Sequence, residues 1–359
     1  MHVCKWILYV LLSIHFKKLM DSLTQIILGA ACGEAVLGKK IGNKALLFGA
    51  IGGTIPDLDV IVGKYLFGNE IDAMLFHRGF MHSILFSILA AFILGWGIHK
   101  LYNSGKRLHT TTQKDWILLF FWSLFTHPIL DCFTPYGTQI FAPISNYRVA
   151  FNNIAVIDPL YTLPFLICMI VLMFFNRINN RRRFWLKLGL GVSSVYMFLT
   201  VVNKLYVDAI FRKSVTESSM LINRFSIQPS IFNNILWYAI AESETSYFVS
   251  YYSLLDTKNR FLDFIELPKQ RDLKPEDFDD IKNLAHFSNQ YYSVYKIGDN
   301  EYQYNDLRYP IADENNPNSS VFRMVLFKEK DRLNMKPFRP KTDDFNNAIT
   351  KLWIRLKGI

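Results

Sequence analysis

Residues 80–99 read FMHSILFSILAAFILGWGIH, a run of twenty residues whose only ionisable side chains are histidines. A helix rises about 1.5 Å per residue, so a run of this length crosses the bilayer hydrocarbon core, which is about 30 Å thick. Similar apolar runs occupy residues 23–37, 43–62, 115–132, 155–175 and 184–207. The pattern predicts an α-helical integral membrane domain of about five spans over residues 20–207. Residues 1–19 are interpreted as an N-terminal extension or extra apolar segment.

The charge of the chain is unevenly distributed. Residues 208–359 hold 21 Lys and Arg and 21 Asp and Glu, so residues 1–207 hold the remaining 19 basic and 9 acidic groups of the 40 and 30 in the chain. Loops rich in Lys and Arg face the cytoplasm, which predicts that the chain after residue 207 lies on the other side. No nucleic-acid partner is expected, because the basic residues lie between apolar runs. The basic loops are 38–44, 100–114 and 176–183.

The C-terminal part, residues 208–359, is predicted to be a soluble α+β domain. Its β-branched and aromatic runs predict strands at 235–241, 247–255, 291–297 and 321–327. Helices are predicted from Pro275 to about Phe287 and from about Thr342 to Leu356. The domain carries no recognisable catalytic motif.

Acidic residues at the ends of the apolar runs are the first candidates for chemistry. An ionisable group inside a span costs about 2.5–3.5 kcal/mol on insertion scales, so its presence indicates a function. Asp57 and Asp59 follow Gly52-Gly53 and Pro56, where a broken backbone can aim both carboxylates at one point. The alternative is a helix cap at the membrane surface.

Histidines supply the second set of candidates. His77 and His82 precede the 80–99 run, and His127 and Asp131 share one helical face because they are four residues apart. Neutral imidazole is a common ligand of zinc and related metals. The alternatives are solvated histidines and a His–Asp hydrogen bond that satisfies two buried groups. Glu34 and Asp158 are weaker candidates, with helix capping or packing as the alternative.

The predicted topology places four groups at one membrane face, which favours a shared metal site: Asp57 with Asp59, His82, His127 with Asp131, and Asp158. Zinc is the first expectation, and manganese and iron also accept nitrogen and oxygen ligands. A metal acidifies bound water toward a pKa of ~7. Asp57 or Glu34 is expected to act in proton transfer, and Arg78 to contact an anionic group of the substrate or transition state. The predicted ligands or near-ligands are Asp57, Asp59, His77, His82, His127 and Asp131.

Three ordered motifs between residues 20 and 175 resemble those of the bacterial membrane-bound metal-dependent hydrolases, also called LexA-binding inner-membrane-associated hydrolases. The motifs are Pro56-Asp57-Leu58-Asp59, His77-Arg78-Gly79-Phe80-Met81-His82-Ser83 and His127-Pro128-Ile129-Leu130-Asp131. The sequence departs from the family at Gln25, where many members place a His, and at Met81, where Thr is common. The resemblance implies a multi-pass protein of the bacterial inner membrane and metal-dependent hydrolysis. With the charge pattern, it predicts a periplasmic C-terminal domain.

The sequence therefore predicts a membrane-bound metal-dependent hydrolase that acts near the membrane surface. The expected partners are membrane lipid and an unknown small or lipid-linked substrate, including phosphoesters. A transporter or ion-handling protein is one alternative, although the chain lacks the matching halves that many transporters show. A non-catalytic membrane adaptor is another, but it leaves the acids and histidines unexplained. The four cysteines lie in apolar stretches without short paired spacing, so a thiolate metal site is not expected.

Overall fold

The computed structural model describes residues 14–311, 316, 318–338 and 350–358, with side chains from residue 23 onward except 262 and 263. These residues form two compact units. The membrane unit holds the described residues up to Val62 together with His77–Phe151 and Val156–Leu199. The sheet unit holds Gly63–Phe76, Asn152–Ala155 and the described residues from Thr200 onward.

The helices account for every apolar run predicted from the sequence. In chain order they are α1 (Ile14–Ile41), α2 (Asn43–Thr54), α3 (Asp59–Leu66), α4 (Glu70–Phe76), α5 (Ile84–Tyr102), α6 (Gln113–Asp131), α7 (Pro159–Met173), α8 (Asn180–Glu217) and α9 (Asp279–Phe287).

The predicted count of about five spans is not supported. Among the described residues, α5 and α8 are long and apolar enough to cross a membrane. A third span exists if α2 and the segment Pro56–Leu66, which meet at a 43° bend, are counted together. Helix α7 has 15 residues, which gives about 22 Å and is shorter than a bilayer core of about 30 Å. Helix α6 carries polar residues at both ends, so its continuous apolar stretch is short.

The bend after α2 brings two acidic residues into one short turn. Pro56 has no backbone N–H and cannot continue the α-helical hydrogen-bond pattern, so Pro56–Leu58 forms a 3₁₀ turn before α3 begins at Asp59. Helix α1 packs closely on α2 at glycines. A Cβ at Gly53 would approach the Gln25 carbonyl oxygen to 2.5 Å, so the two backbones touch near the same bend.

The sheet unit contains two four-stranded antiparallel sheets, in the orders β1-β2-β3-β4 and β5-β6-β7-β8. The predicted strands correspond to β2, β3, β5 and β7, and the predicted helix from Pro275 begins later, as α9. The helix predicted from Thr342 falls largely on residues 339–349, outside the described part, and residues 350–356 are helical. The strands are β1 (Arg224–Pro229), β2 (Leu236–Glu242), β3 (Ser246–Ser253), β4 (Leu262–Pro268), β5 (Tyr292–Gly298), β6 (Glu301–Asp306), β7 (Arg323–Glu329) and β8 (Arg332–Pro337).

A segment from the N-terminal half of the chain is built into the sheet unit. Ile71 of α4 is fully buried in a core that includes Leu284 of α9 and Tyr292 of β5. The Asn69 side chain donates to the Leu333 carbonyl at 2.7 Å. Residues 63–76 therefore belong to the sheet unit, although they lie between the Asp57–Asp59 and His77–His82 motifs in the chain.

Candidate metal centre

Four side-chain atoms of the membrane unit converge on one point. They come from the turn after α2, the 3₁₀ turn before α5 and the last turns of α6. The two imidazole Nε2 atoms, of His82 and His127, are 3.2 Å apart. His82 Nε2 lies 3.5 Å from Asp57 Oδ1 and 3.4 Å from Asp131 Oδ2. His127 Nε2 lies 3.4 Å and 3.6 Å from the same two oxygens.

Both imidazoles direct Nε2 to this point, and each Nε2 has a lone pair when its ring is neutral. His127 Nδ1 is 2.6 Å from the Gly53 carbonyl, which can only accept, so Nδ1 carries the proton and Nε2 of the neutral ring does not. The His82 Nδ1 atom is 2.9 Å from Asp59 Oδ2, although the contact lacks the direction of a well-formed hydrogen bond. The carboxylate nevertheless favours the proton on that nitrogen. A cation bound at this point would take one lone pair from each neutral ring and would displace the proton that His82 holds without metal.

Asp131 offers an oxygen that the protein leaves without a hydrogen bond. Its Oδ1 accepts from Gln25 Nε2 at 2.8 Å and lies 3.3 Å from Arg78 Nη2. Its Oδ2 is buried and has no hydrogen-bond partner. A buried carboxylate oxygen without a donor is costly, and a bound cation would satisfy it.

Asp59 lies behind the centre and holds both histidines of the His77–His82 motif. It is fully buried. Its Oδ1 accepts from His77 Nδ1 at 2.7 Å, and its Oδ2 accepts from the Arg78 backbone N–H at 2.9 Å. A carboxylate that receives the Nδ1 proton of a ligating histidine fixes the ring and its tautomer. The contacts of Asp59 therefore fit an orienting role better than direct ligation.

Arg78 contacts a predicted ligand and is itself buried. Its side chain is 3% exposed, contacts Asp131, and donates from Nη1 to Thr134 Oγ1 at 2.8 Å. The guanidinium lies 4.9 Å above the Tyr136 ring. The backbone adopts a left-handed conformation with φ 59°, uncommon for a non-glycine residue. These contacts favour a role in holding Asp131 over the expected contact with an anionic substrate.

The pKa values of the two histidines before α5 shift in opposite directions. Burial alone would lower the pKa of His82, but hydrogen bonds and charge interactions with Asp57 and Asp59 outweigh it and raise the pKa to about 9. Burial lowers the pKa of His77 despite its hydrogen bond to Asp59. Without a metal, His82 therefore holds a proton at neutral pH, whereas His77 is neutral.

The donor set fits a divalent metal in charge and in size. Asp57, Asp59 and Asp131 bring three negative charges, and Arg78 supplies one positive charge, so a dication neutralises the cluster with neutral histidines. Five of the six separations among the four atoms are 3.2–3.6 Å. Atoms this far apart can bind one ion at about 2.0–2.2 Å, the distance at which zinc binds imidazole nitrogen and carboxylate oxygen.

The six predicted ligands differ in their contacts with the centre. The two weaker candidates, Glu34 and Asp158, make other contacts. Two triads have ligand atoms within 4.8 Å of one another: Asp57, His77 and His82, and His82, His127 and Asp131. Glu34 is nine residues beyond Gln25 on α1, about 13 Å along the axis, and pairs with Arg182 at 2.6 Å. Asp158 caps α7 and accepts from Tyr196 at 2.8 Å.

Gln25 is a part of the site that the sequence did not assign to a role. It was noted only as a departure from the resembled family. In the structure it is buried, and its Nε2 donates to Asp131 Oδ1 at 2.8 Å and to the His127 carbonyl at 3.3 Å. Its position in a Gly/Ala-rich helix gave no local signal. Only the packing of α1 against α6 brings it to the centre.

The family model of the YdjM inner membrane protein matches residues 20–207, more than half of the chain. The chain belongs to the YdjM family. The matched region contains every residue of the centre described above. Together with the apolar helices α5 and α8, membership of the YdjM family indicates a membrane location.

One curated relative is similar over part of the chain. It is the uncharacterized protein YfhP of Bacillus subtilis (strain 168), 29% identical over 150 residues. The alignment covers 39% of this chain and 42% of the relative, so it spans less than half of either protein. No solved structure matches the chain.

Proposed function

We propose that the protein is a membrane-bound metal-dependent hydrolase that acts on a lipid-linked or phosphoester substrate near the membrane surface. The observation that carries the proposal is the group of four atoms from His82, His127, Asp57 and Asp131, with measured separations of 3.2–3.6 Å. The buried Asp131 Oδ2 without a donor supports it. Zinc is the favoured ion, and manganese and iron are alternatives.

The four converging residues would hold the ion, and the residues behind them would fix their orientation. His82 and His127 would bind through Nε2, and Asp131 through Oδ2. Asp57 would bind through Oδ1. A divalent ion in this position polarises a substrate oxygen and acidifies water.

The open side of the centre is formed by Asp57 and His77. Both side chains are 22% exposed, whereas His82, His127 and Asp131 are at most 2% exposed. Substrate and water therefore approach from this side. His77 is neutral and is oriented by Asp59 through Nδ1, so its Nε2 is available to accept a proton from water. We assign general acid–base chemistry to His77, with Asp57 as a second candidate for proton transfer.

The topology inferred from the loop charges belongs to the same proposal. The Lys- and Arg-rich loops 100–114 and 176–183 would face the cytoplasm, and the sheet unit would lie on the periplasmic side. Cysteine substitutions at Gly105 and Asn300, labelled from outside intact cells, test it. Labelling at 300 alone is expected, and labelling at 105 alone would reverse the arrangement.

Metal content and hydrolysis, measured on the same detergent-purified samples, test the function. Wild-type protein is expected to carry metal and to hydrolyse a phosphoester in a chelator-sensitive manner. His127→Ala is expected to lower both by more than about tenfold, because it removes a ligand. The matched control is Asp158→Asn, which changes a buried carboxylate of the same unit that caps α7, and should retain both. Metal-free wild-type protein, or equal losses in both variants, would contradict the proposal.

A further inference from the structure

The segment from Thr138 to Val149, here called the apolar loop, exposes large apolar side chains beside the candidate metal centre. Phe141 is 53% exposed, Tyr147 64% and Ile144 93%. Ile144 has the highest exposure among the large apolar side chains that the structure describes. A contiguous exposed apolar surface indicates an interaction site.

Backbone hydrogen bonds attach the base of the apolar loop to the segment that carries His77 and His82. Thr138 and Val149 exchange two backbone hydrogen bonds, of 3.1 and 2.9 Å. The Gln139 N–H donates to the Arg78 carbonyl at 3.0 Å, and the Ile84 N–H donates to the Ile140 carbonyl at 3.0 Å. The loop is thus held in a defined position, and the exposure of its tip is not a consequence of weak anchoring.

The same contacts place the apolar loop at one end of a candidate membrane span. Ile84 is the first residue of α5, whose outward side chains include Leu85, Leu89 and Phe92 at 41%, 49% and 57% exposure. That apolar surface is suited to lipid. The hydrogen bond from Ile84 to Ile140 places the exposed loop next to the first turn of α5.

The charge of the apolar loop fits the lipid headgroup region. Residues 132–157 contain no Asp or Glu, and Arg148 is their only Lys or Arg. Arg148 is partly exposed, and its Nη2 donates to the His77 carbonyl at 3.1 Å. A guanidinium beside the open side of the centre complements a lipid phosphate. Apolar and aromatic side chains with a nearby cation are typical of segments that lie in the membrane interface.

We propose that the apolar loop inserts into the bilayer surface and that the substrate is a phosphorylated membrane lipid that enters the centre from the same leaflet. This inference rests on the proposed hydrolase function. In the reaction, the oxygen of water forms a bond to phosphorus as the bond from phosphorus to the lipid alcohol oxygen breaks. One proton of water passes by way of His77 to the released alcohol, and no other reactant is required.

Insertion is tested on the full-length protein in liposomes of phosphatidylglycerol and phosphatidylethanolamine. A spin label is placed by Ile144→Cys in a background without the native cysteines, and its accessibility to oxygen and to a water-soluble nickel complex is measured. Phe92→Cys in α5 is the lipid-facing control, and Leu255→Cys, a 56% exposed position of the sheet unit, is the control for water. The label at 144 is expected to behave like that at 92. Behaviour like that at 255, or spin–spin broadening between two copies at 144, would overturn insertion.

The substrate is tested with two phosphatidic acids that share a headgroup and differ in acyl chain length. Ile144→Asp is expected to lower phosphate release from dioleoyl phosphatidic acid in vesicles by at least about tenfold, because a charged side chain resists entry into hydrocarbon. Release from water-soluble dihexanoyl phosphatidic acid, and metal content, should remain unchanged. Equal loss with both substrates would overturn entry from the bilayer. No release by the wild type from either form would overturn phosphatidic acid as the substrate. The phosphoester assay described above would still decide the hydrolase function, and the spin labels would still decide insertion.

Discussion

Two of the buried polar clusters in the membrane unit differ in whether the protein itself satisfies their polar atoms. In the first, both oxygens of Glu34 accept from Arg182, at 2.7 and 2.6 Å, and Arg182 also donates to Asn43 and to the Phe175 carbonyl. Charges and hydrogen bonds are therefore balanced within the protein. In the second, two imidazole Nε2 atoms face each other at 3.2 Å, and a buried oxygen of Asp131 has no donor.

The difference separates a structural cluster from a binding site. Both clusters put acidic residues in an apolar helical region, and both are costly to insert. Only the second has nitrogen and oxygen atoms that can bind a metal and that converge on one point. Buried charge alone is thus a weak indication of function, whereas potential ligand atoms that converge on one point are a strong one.

The largest expected effect comes from breaking the balanced cluster. Arg182→Leu leaves the Glu34 carboxylate buried without its partner, which should lower the free energy of unfolding by about 3–5 kcal/mol. The loss should be the same with and without chelator, because no metal takes part. Thermal unfolding in detergent measures it. A loss that appears only in the presence of metal would show that the two clusters are coupled.

Asp131→Asn should behave in the opposite way. With metal present, the variant loses the stabilisation that binding supplies, about 2.7 kcal/mol at a metal concentration 100 times the Kd. With chelator the loss should be smaller than that of Arg182→Leu, because the asparagine oxygen can still accept from Gln25 although the ion pair with Arg78 is weakened. Unfolding curves of both proteins with and without chelator measure the effect. Equal destabilisation under both conditions would make Asp131 a structural residue like Glu34.

The sequence predicted these two clusters unequally. Asp57, Asp59, His82, His127 and Asp131 were found because their spacing and positions at run ends are local signals. Glu34 was a weaker candidate for proton transfer, with packing as the alternative. Its partner, Arg182, is 148 residues away, so only tertiary packing reveals the pair.

The fold shows the same division between local and long-range information. Apolar runs predicted each helix of the membrane unit, but length and apolar composition support only two or three spans among the described residues. In the sheet unit, the missed strands β1, β4, β6 and β8 carry many charged or polar side chains and are recognisable only through their pairing. The assignment of residues 63–76 to the sheet unit has no local signal, because it depends on contacts with α9 and β8.

Substitution of Gln25 should have a smaller and more selective effect on the candidate metal centre. Gln25→Leu removes the donor that directs Asp131 Oδ1 away from the centre, so metal affinity should fall about 10–100-fold, as for other residues that orient ligands. Stability in chelator should change little. Competition with a chromophoric chelator measures the affinity. An unchanged affinity would mean that Arg78 alone suffices to orient Asp131.

The smallest expected effect is the release of protons on metal binding. The pKa of His82 is about 9 without metal, so this group is protonated below that pH and must lose its proton when it binds through Nε2. Metal affinity should therefore rise with pH up to about 9 and then level off. Calorimetry in two buffers of different ionisation enthalpy should detect proton release at pH 7.5 that is much reduced at pH 10. Equal release at both values would assign the proton to another group.

The central claim is that the cluster between α2, α5 and α6 is a metal site with two imidazole and two carboxylate ligands. X-ray absorption at the edge of the metal found in gently purified, full-length protein tests it most directly. The account predicts one ion per chain with only nitrogen and oxygen neighbours at about 2.0–2.2 Å and the multiple-scattering signature of two imidazoles, which His127→Ala reduces. A sulfur neighbour at about 2.3 Å, or wild-type protein without metal, would contradict it.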